Sequence, residues 1–485
     1  MQSSPAPKTV SRTKIVATFG PACAEPERLR RVIEAGVDVF RLNTAHGSTA
    51  EHEKALAAIR AAGEELQRPL AILVDLAGPK MRLGELPGGQ AEFHEDEKFR
   101  FVRKRTTDDP HDLTVTYEPL VDELEPGDRV MLADGTVSLI VEEKNADAVR
   151  CRVVQGGLVR SRQGVNLPGA KLSAPAMSDV DRRWAEWAAK NEADFVSLSF
   201  VRTAAEVQEL KQMLRGWGSR ARVIAKIEKP EALTALESIV SAADGVMVAR
   251  GDLGVEIDVA QIPVAQKRII AACNRHQKPV IIATQMLDSM QRSRWPTRAE
   301  VTDVANAILD GGDACMLSGE TAIGEYPVEA VQMLDRVAIA TEALFQDRTP
   351  LPEAEVPVEG VHQITDAVVY GSAHVAGKLA ARMIVVASHS GATALAVSKR
   401  RGFVPVIGVS DSPQTIRQMC LYWGVTPLPG APAKFLPELL AFIDHWAEAE
   451  GRLSPGDRVV VIGGSGLNSG GHNVVVVHEV GAREG

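Results

Sequence analysis

Eight short apolar runs punctuate the first two thirds of the chain, near residues 15, 38, 72, 196, 224, 247, 281 and 315. Helical patterns separate them, at 25–35, 49–67, 179–191, 204–214, 259–276 and 300–309. Strand alternating with helix predicts a parallel sheet, because a parallel neighbour is reached only by a crossover. A count of eight predicts a closed β/α (TIM) barrel. In that fold the chemistry sits where the strands release the chain.

Two adjacent strand ends carry the charge that such a site needs. Gly245–Ala249 is wholly apolar and breaks into a charged turn, Arg250-Gly251-Asp252-Leu253-Gly254. The strand before it, Arg222 to Glu228, puts Lys226 and Glu228 on one side, since strand side chains repeat every two residues. Glu228 and Asp252 are expected to share one hard cation such as Mg2+. Lys226 beside them is placed to neutralise a transferring phosphoryl group. The bland alternative is a pair of surface ion pairs at loop starts.

The alternation stops from about residue 85 to 172. Short alternating runs replace it, at 98–102, 128–132 and 149–154, with turns at Pro126-Gly127-Asp128 and Asp134-Gly135. This predicts a small all-β domain inserted into the barrel. Pro350 to Pro357 reads as a linker by composition. Beyond it a second α/β pattern predicts an open sheet from strands at 383–387, 404–409, 458–462 and 474–477. The expected division is barrel 1–84 and 173–349, insertion 85–172, and C-terminal α/β domain 357–485.

With 485 residues the chain has length enough for these units. A net charge of −9 without a long basic run argues against nucleic acid as partner. Five scattered cysteines, Cys23, Cys151, Cys273, Cys315 and Cys420, show no metal spacing and fit a reduced cytoplasmic protein. No apolar leader and no stretch of membrane-spanning length is expected.

At this point the motifs resemble those of the pyruvate kinases over nearly the whole chain. They are TKIVATFGPA (13–22), RLN..HG (41–47), GPKMRLG (78–84), QGVNLPG (163–169), AKIEKPEAL (225–233), VMVARGDLGVEI (246–257), ATQMLDSM (283–290) and the long block 296–327. The resemblance implies a barrel, an inserted lid and a regulatory α/β domain, as a homotetramer. It implies phosphoryl transfer from phosphoenolpyruvate to ADP with Mg2+ or Mn2+. It carries over Glu228 and Asp252 as metal ligands and Lys226 as the lysine that steadies the phosphoryl group. Ala249, Arg250 and Gly251 match the turn that receives the substrate carboxylate. Thr284 matches the threonine where the enolate takes its proton, and Arg41 and Arg82 face phosphates. Asn43, His46, Asp75, Ser199, Ser318 and Glu320 are implied as further pocket positions.

Two departures matter. Members that need K+ hold it with Asn, Ser, Asp and Thr. Here Asn43 and Asp75 remain, but Ala45 and Leu76 stand at the Ser and Thr positions, and Lys80 replaces a glutamate. The resemblance therefore implies a K+-independent enzyme, with Lys80 supplying the charge. Thr44 and Ala45, in place of Phe and Ser, keep open a catalytically degenerate metabolite sensor. A Mg2+-dependent enolate lyase or aldolase is the other rival. Ser388, Ser390, Gly391 and Thr393 precede or open a helix after a strand and are expected to cradle a phosphorylated effector, a routine helix cap being the alternative. The tail 459–482 has no Lys or Arg, which favours a monophosphate over a bisphosphate.

Overall fold

A computed structural model describes residues 11–104, 106–169, 175–347, 361–463 and 474–481. Eight parallel strands close a barrel in sequence order. They are β1 (Lys14–Thr18), β2 (Val39–Asn43), β3 (Ala71–Asp75), β4 (Phe195–Leu198), β5 (Arg222–Ile227), β6 (Gly245–Ala249), β7 (Val280–Ala283) and β8 (Ala314–Leu317). β8 returns to β1, with Lys14 opposite Ala314.

The period of two explains how one strand serves two environments. Ile15, Ala17, Leu42, Ile72, Val74 and Val248 face outward and pack in the layer shared with the helices. Val16, Val39, Leu73, Phe195, Ile224, Met247, Ile281 and Met316 fill the interior. Two residues further along, the same inward stripe turns polar at Thr18, Arg41, Asp75, Ser197 and Lys226. The barrel is thus dry at its base and charged at its mouth.

The base is closed by a recurring device. Asp38, Asp194, Asp244 and Asp313 accept the backbone N–H of Ile15, Ile72, Val223 and Val280, at 2.9, 2.8, 2.8 and 2.8 Å. Each aspartate precedes an even-numbered strand and reaches the start of the odd-numbered one before it. Two of the four take a cation from the C-terminal part of the chain. Arg417 lies 2.8 Å from Asp194, and Lys399 lies 2.6 Å from Asp313.

Between β3 and β4 the chain forms a six-stranded and a two-stranded sheet. The expected alternating runs appear as strands Lys98–Val102, Arg129–Leu132 and Ala148–Gln155. They enclose a core of their own that includes Phe93, Phe99, Phe101, Leu139 and Val153.

The C-terminal sheet has five strands, β9 (Met383–Ala387), β10 (Val406–Val409), β11 (Val425–Pro427), β12 (Arg458–Gly463) and β13 (Val474–Glu479), ordered β11-β10-β9-β12-β13. β13 runs antiparallel to β12. The sequence reading named four of the five and missed β11, which is three residues long and ends in proline. The expected linker 350–357 lies outside the described residues.

Four helices bear on the site: α1 (Thr49–Glu65), α2 (Asp179–Lys190), α3 (Arg250–Glu256) and α4 (Ala392–Lys399). α3 corrects the sequence reading, which took 250–254 for a turn. Two glycines argue against a helix there, but Leu253 is buried and its carbonyl accepts from Ile257 N–H, so packing overrides propensity. No helix among the described residues is long and apolar enough to cross a membrane.

Candidate active site

Lys226 is the centre of the mouth. Its ammonium is buried and donates to Ser199 Oγ at 2.7 Å. It lies 2.9 Å from Glu228 Oε1 and 3.4 Å from Asp75 Oδ1. Burial alone would push this lysine down. Asp75 and Glu228 outweigh that and hold it above the usual lysine range, so it stays charged.

Asp75 is the second hub. Arg41 meets its Oδ2 with Nε at 2.7 Å and Nη2 at 2.6 Å, two nitrogens of one guanidinium on a single oxygen. Ser197 Oγ donates to Oδ1 at 2.5 Å. Burial pushes the Asp75 carboxyl up, but Lys226 and Arg41 prevail and hold it below the ordinary value. Arg41 also donates to Thr18 Oγ1 at 3.1 Å.

Glu228 is fully buried, and its Oε2 accepts from Phe200 N–H at 2.6 Å. Its Oε1 has the Lys226 ion pair but no well-directed hydrogen bond. Burial, and then the neighbouring Asp252 charge, push the Glu228 carboxyl up. Two carboxylates repelling one another in a dry site is the arrangement a divalent cation reverses. Mg2+ suits it, because that ion takes one or two protein carboxylates and completes its shell with water and substrate oxygens. No cluster of three or more His, Cys, Asp or Glu among the described residues offers an all-protein cage. The donor set therefore fits the expected Mg2+.

α3 starts where β6 ends, with Ala249 as its N-cap. Gly251 N–H donates to Thr284 Oγ1 at 2.7 Å, and that hydroxyl donates to Ala283 O at 2.7 Å. Thr284 and Gln285 hold φ of 70° and 55°, and Phe200 holds 54°. A β-branched residue in this region is strained, and such strain gathers at functional sites. Arg250 is buried and turned aside. It meets Asp303 at 2.6 Å and donates to Thr284 O at 2.7 Å, so its side chain braces the site.

The remaining positions stand further out. Asn43 Oδ1 accepts from Ala45 N–H at 3.2 Å, and His46 is exposed. Lys80 lines a cavity between barrel and insertion with Asn166, Phe200, Arg202 and Lys229. Arg82 belongs to the insertion's edge, bridging to Gly164 and donating to Arg162 O at 3.2 Å. Glu320 spends its two oxygens on the amides of Leu287 and Ser318, at 3.1 and 2.7 Å, while burial pushes it up. Ser318 Oγ is buried without a hydrogen-bond partner. The geometry thus brings Arg41, Asp75, Ser199, Lys226 and Glu228 into one network, with Asp252 acting on it electrostatically. Arg82, Ser318 and Glu320 make no hydrogen bond or ion pair to that network among the described residues.

Thr18, Ser197 and the Phe200 amide belong to the network and were not singled out from sequence. Ser197 was within reach of the argument, standing two residues before Ser199 on the inward stripe. Asp303, which anchors Arg250, left no local signal, because its partner is 53 residues away.

Comparison with known proteins agrees with this geometry. Residues 10–331 match the model of the pyruvate kinase barrel domain, and residues 366–478 that of the pyruvate kinase alpha/beta domain. The pyruvate kinase of Corynebacterium glutamicum is 40% identical over 477 residues, covering 97% of this chain and 98% of the relative. That of Geobacillus stearothermophilus is 40% identical over 473 residues, covering 97% of this chain and 80% of the relative. The crystal structure of a pyruvate kinase from Cryptosporidium parvum superposes with a TM-score of 0.88 at 33% identity, covering 97% of this chain and 96% of that one. With both domain models matched and relatives 40% identical over nearly its whole length, the chain belongs to the pyruvate kinase family and is a phosphotransferase.

Proposed function

We propose that the enzyme moves the phosphoryl group of phosphoenolpyruvate to ADP, giving pyruvate and ATP in glycolysis. The observation that carries this reading is Lys226, held charged among Asp75, Glu228 and Ser199 at adjoining strand ends. Phosphoryl transfer asks for positioning and charge neutralisation more than for covalent help. The bridging O–P bond of the donor breaks, a new P–O bond forms to a terminal phosphate oxygen of ADP, and the enolate left behind, which keeps the bridging oxygen, takes a proton at carbon.

Lys226 faces the phosphoryl group in flight. Arg41 and Arg82 meet phosphate oxygens, with Asn43, His46, Ser318 and Glu320 around them. The backbone of Ala249, Arg250 and Gly251 receives the substrate carboxylate. For that, the Gly251 amide must be shared with or released by Thr284. Thr284 stands where the enolate is protonated, and its hydroxyl must then leave the Ala283 carbonyl. Glu228 and Asp252 would hold Mg2+ or Mn2+, which supplies Lewis-acid stabilisation of the phosphoryl and enolate oxygens. The inserted domain acts as a lid that excludes water.

We infer that K+ is not required. Asp75 already meets two protein cations, Leu76 is buried, and Ala45 offers no side-chain oxygen. Lys80 supplies the monovalent charge from the cavity wall without binding entropy to lose at each turnover.

A phosphorylated effector is proposed at the β9–α4 loop. Ser388 Oγ there is buried without a partner. Gly391 starts α4 at φ 78°, and Ser390 Oγ accepts from Ala392 N–H at 3.4 Å, a long bond that leaves the routine-cap alternative open. A homotetramer is proposed, supported by exposed Val259, Val264, Trp295 and Ile323 on the barrel and by an edge of β13 that is unpaired among the described residues. Cytoplasmic residence is supported by five free, buried cysteines.

The test is a coupled assay of pyruvate from phosphoenolpyruvate, ADP and Mg2+, with tetramethylammonium as the only monovalent cation. Full turnover is expected. Turnover independent of ADP would indicate a lyase, and none under any cation a sensor. A gain of about tenfold or more with K+ at constant ionic strength would overturn the K+ proposal alone.

A further inference from the structure

Asp181 is 1% exposed and sits in the first turn of α2, the helix that follows the inserted domain. It forms a capping box with Ser178, a familiar way to finish a helix start. Its Oδ2 accepts from Ser178 N–H at 2.9 Å and from Ser178 Oγ at 2.6 Å. A capping box needs nothing more. The other oxygen, Oδ1, leaves the helix and accepts from Gly78 N–H at 3.0 Å.

Gly78 and Ser178 lie on either side of the insertion. At Gly78 the chain is leaving the barrel for the inserted sheets, and at Ser178 it has come back to a barrel helix. One buried carboxylate therefore holds both crossings. The φ of Gly78 is 72°, and a Cβ there would lie 2.7 Å from Phe200 Cδ2, so a side chain would be strained and would push the Phe200 ring aside. Pro79 follows and fixes the next φ.

The same segment is tied to the network around Lys226. Ser199 Oγ donates to Leu76 O at 2.6 Å, and Lys226 donates to Ser199 Oγ at 2.7 Å. Asp181 at one end and Ser199 at the other thus hold residues 76–78 just before Lys80 and Arg82. The insertion has a separate core, so it can turn as a unit about this point.

We propose that Asp181 is the pivot of the lid. It is a positioning residue that sets where Lys80 and Arg82 stand relative to Lys226. The roles of those residues rest on the phosphotransfer reading above; the bridge between the two crossings does not.

Three variants separate a pivot from a helix cap. Ser178→Ala removes the cap hydroxyl but leaves Oδ1 on Gly78. It should lower the thermal midpoint while kcat and KM stay within about twofold of wild type. Asp181→Ala removes both contacts and should lower kcat/KM about ten- to a hundredfold, with kcat falling even at saturating substrate. Asp181→Asn keeps a single acceptor oxygen and guards against misfolding of the alanine variant. Hydrogen exchange of the peptide spanning 76–82 is the second readout and needs no turnover. It should quicken in both Asp181 variants and stay unchanged in Ser178→Ala. Unchanged exchange in the Asp181 variants would overturn the pivot, as would Asp181→Ala kinetics within twofold of wild type. Equal loss of activity in Ser178→Ala would reduce Asp181 to a cap. Should wild type fail to turn over phosphoenolpyruvate and ADP, the functional reading falls and the exchange experiment still decides the pivot.

Discussion

Lys226 meets three oxygen partners at once, and their charges explain why a buried lysine stays protonated. The carboxylates opposite it carry the clearest prediction. Asp252→Asn or Glu228→Gln should cut turnover by about a thousandfold or more, and Asp252→Asn, at a half-buried position, should leave the thermal midpoint close to wild type. Near-normal turnover of Asp252→Asn at saturating Mg2+ would remove it from the site. Asp75 makes a different prediction, read by acid titration of stability. Its carboxyl is held below the ordinary 3.8, so the folded state favours the ionised form. The stabilisation is full above the ordinary value and disappears as pH falls through the depressed one. Asp75→Asn should flatten the acid limb of the stability curve; a limb as steep as wild type would refute the coupling. These groups were legible beforehand because Lys226 and Glu228 share a strand face. What their neighbours do was not. Arg250 read as a charge at the mouth, yet it turns aside to Asp303, a contact no local pattern announces.

Among elements, the strands were easy to place and the short pieces were not. A five-residue apolar run such as β6 declares itself, and its bounds at Gly245 and Ala249 match the sequence reading. β11 has no room for periodicity, and α3 hides behind two glycines that its packing overrules. The β9–α4 loop belongs to this scale. The phosphate cradle proposed there would rest on backbone geometry, since Gly391 gives α4 its start and Ser390 Oγ makes only a 3.4 Å bond to Ala392 N–H. Arg222, at the base of β5, donates to Ser390 O at 2.6 Å and joins this loop to the strand that carries Lys226. Isothermal titration with a sugar monophosphate should show binding that Ser390→Asp weakens through charge repulsion. Tight binding of fructose 1,6-bisphosphate alone would reverse the preference for one phosphate.

Across the whole molecule, the C-terminal domain is held to the barrel by charge as well as by a shared core. Asp194 is buried, and burial lifts its carboxyl to about 6 even with Arg417 beside it. Its contribution is therefore full below the ordinary carboxyl range and lost as pH rises through about 6, opposite in sign to Asp75. Arg417→Met leaves that charge unpaired and should cost about 3–5 kcal/mol at neutral pH. The loss should be larger at pH 8 than at pH 5, in melts followed across that range. Lys267→Met breaks only an exposed pair with Asp310 and should cost at most about 1 kcal/mol. Equal effects from the two variants, or a loss in Arg417→Met that ignores pH, would contradict this account of the interface.

The four aspartates at the base of the barrel bear on how such a chain tolerates recombination. Each bond lies within a consecutive pair of strands: β1 with β2, β3 with β4, β5 with β6, β7 with β8. A crossover placed between pairs keeps every one of these bonds inside one parent. A crossover placed within a pair divides the acceptor from its donor. The insertion interrupts the second pair, yet Asp194 still reaches Ile72 beneath it, so that pair stays stitched whatever hangs above. Chimeras that exchange the inserted sheets between relatives should therefore keep a closed base, and those joined between β1 and β2 should keep it only where the parent supplying β2 brings an aspartate at position 38.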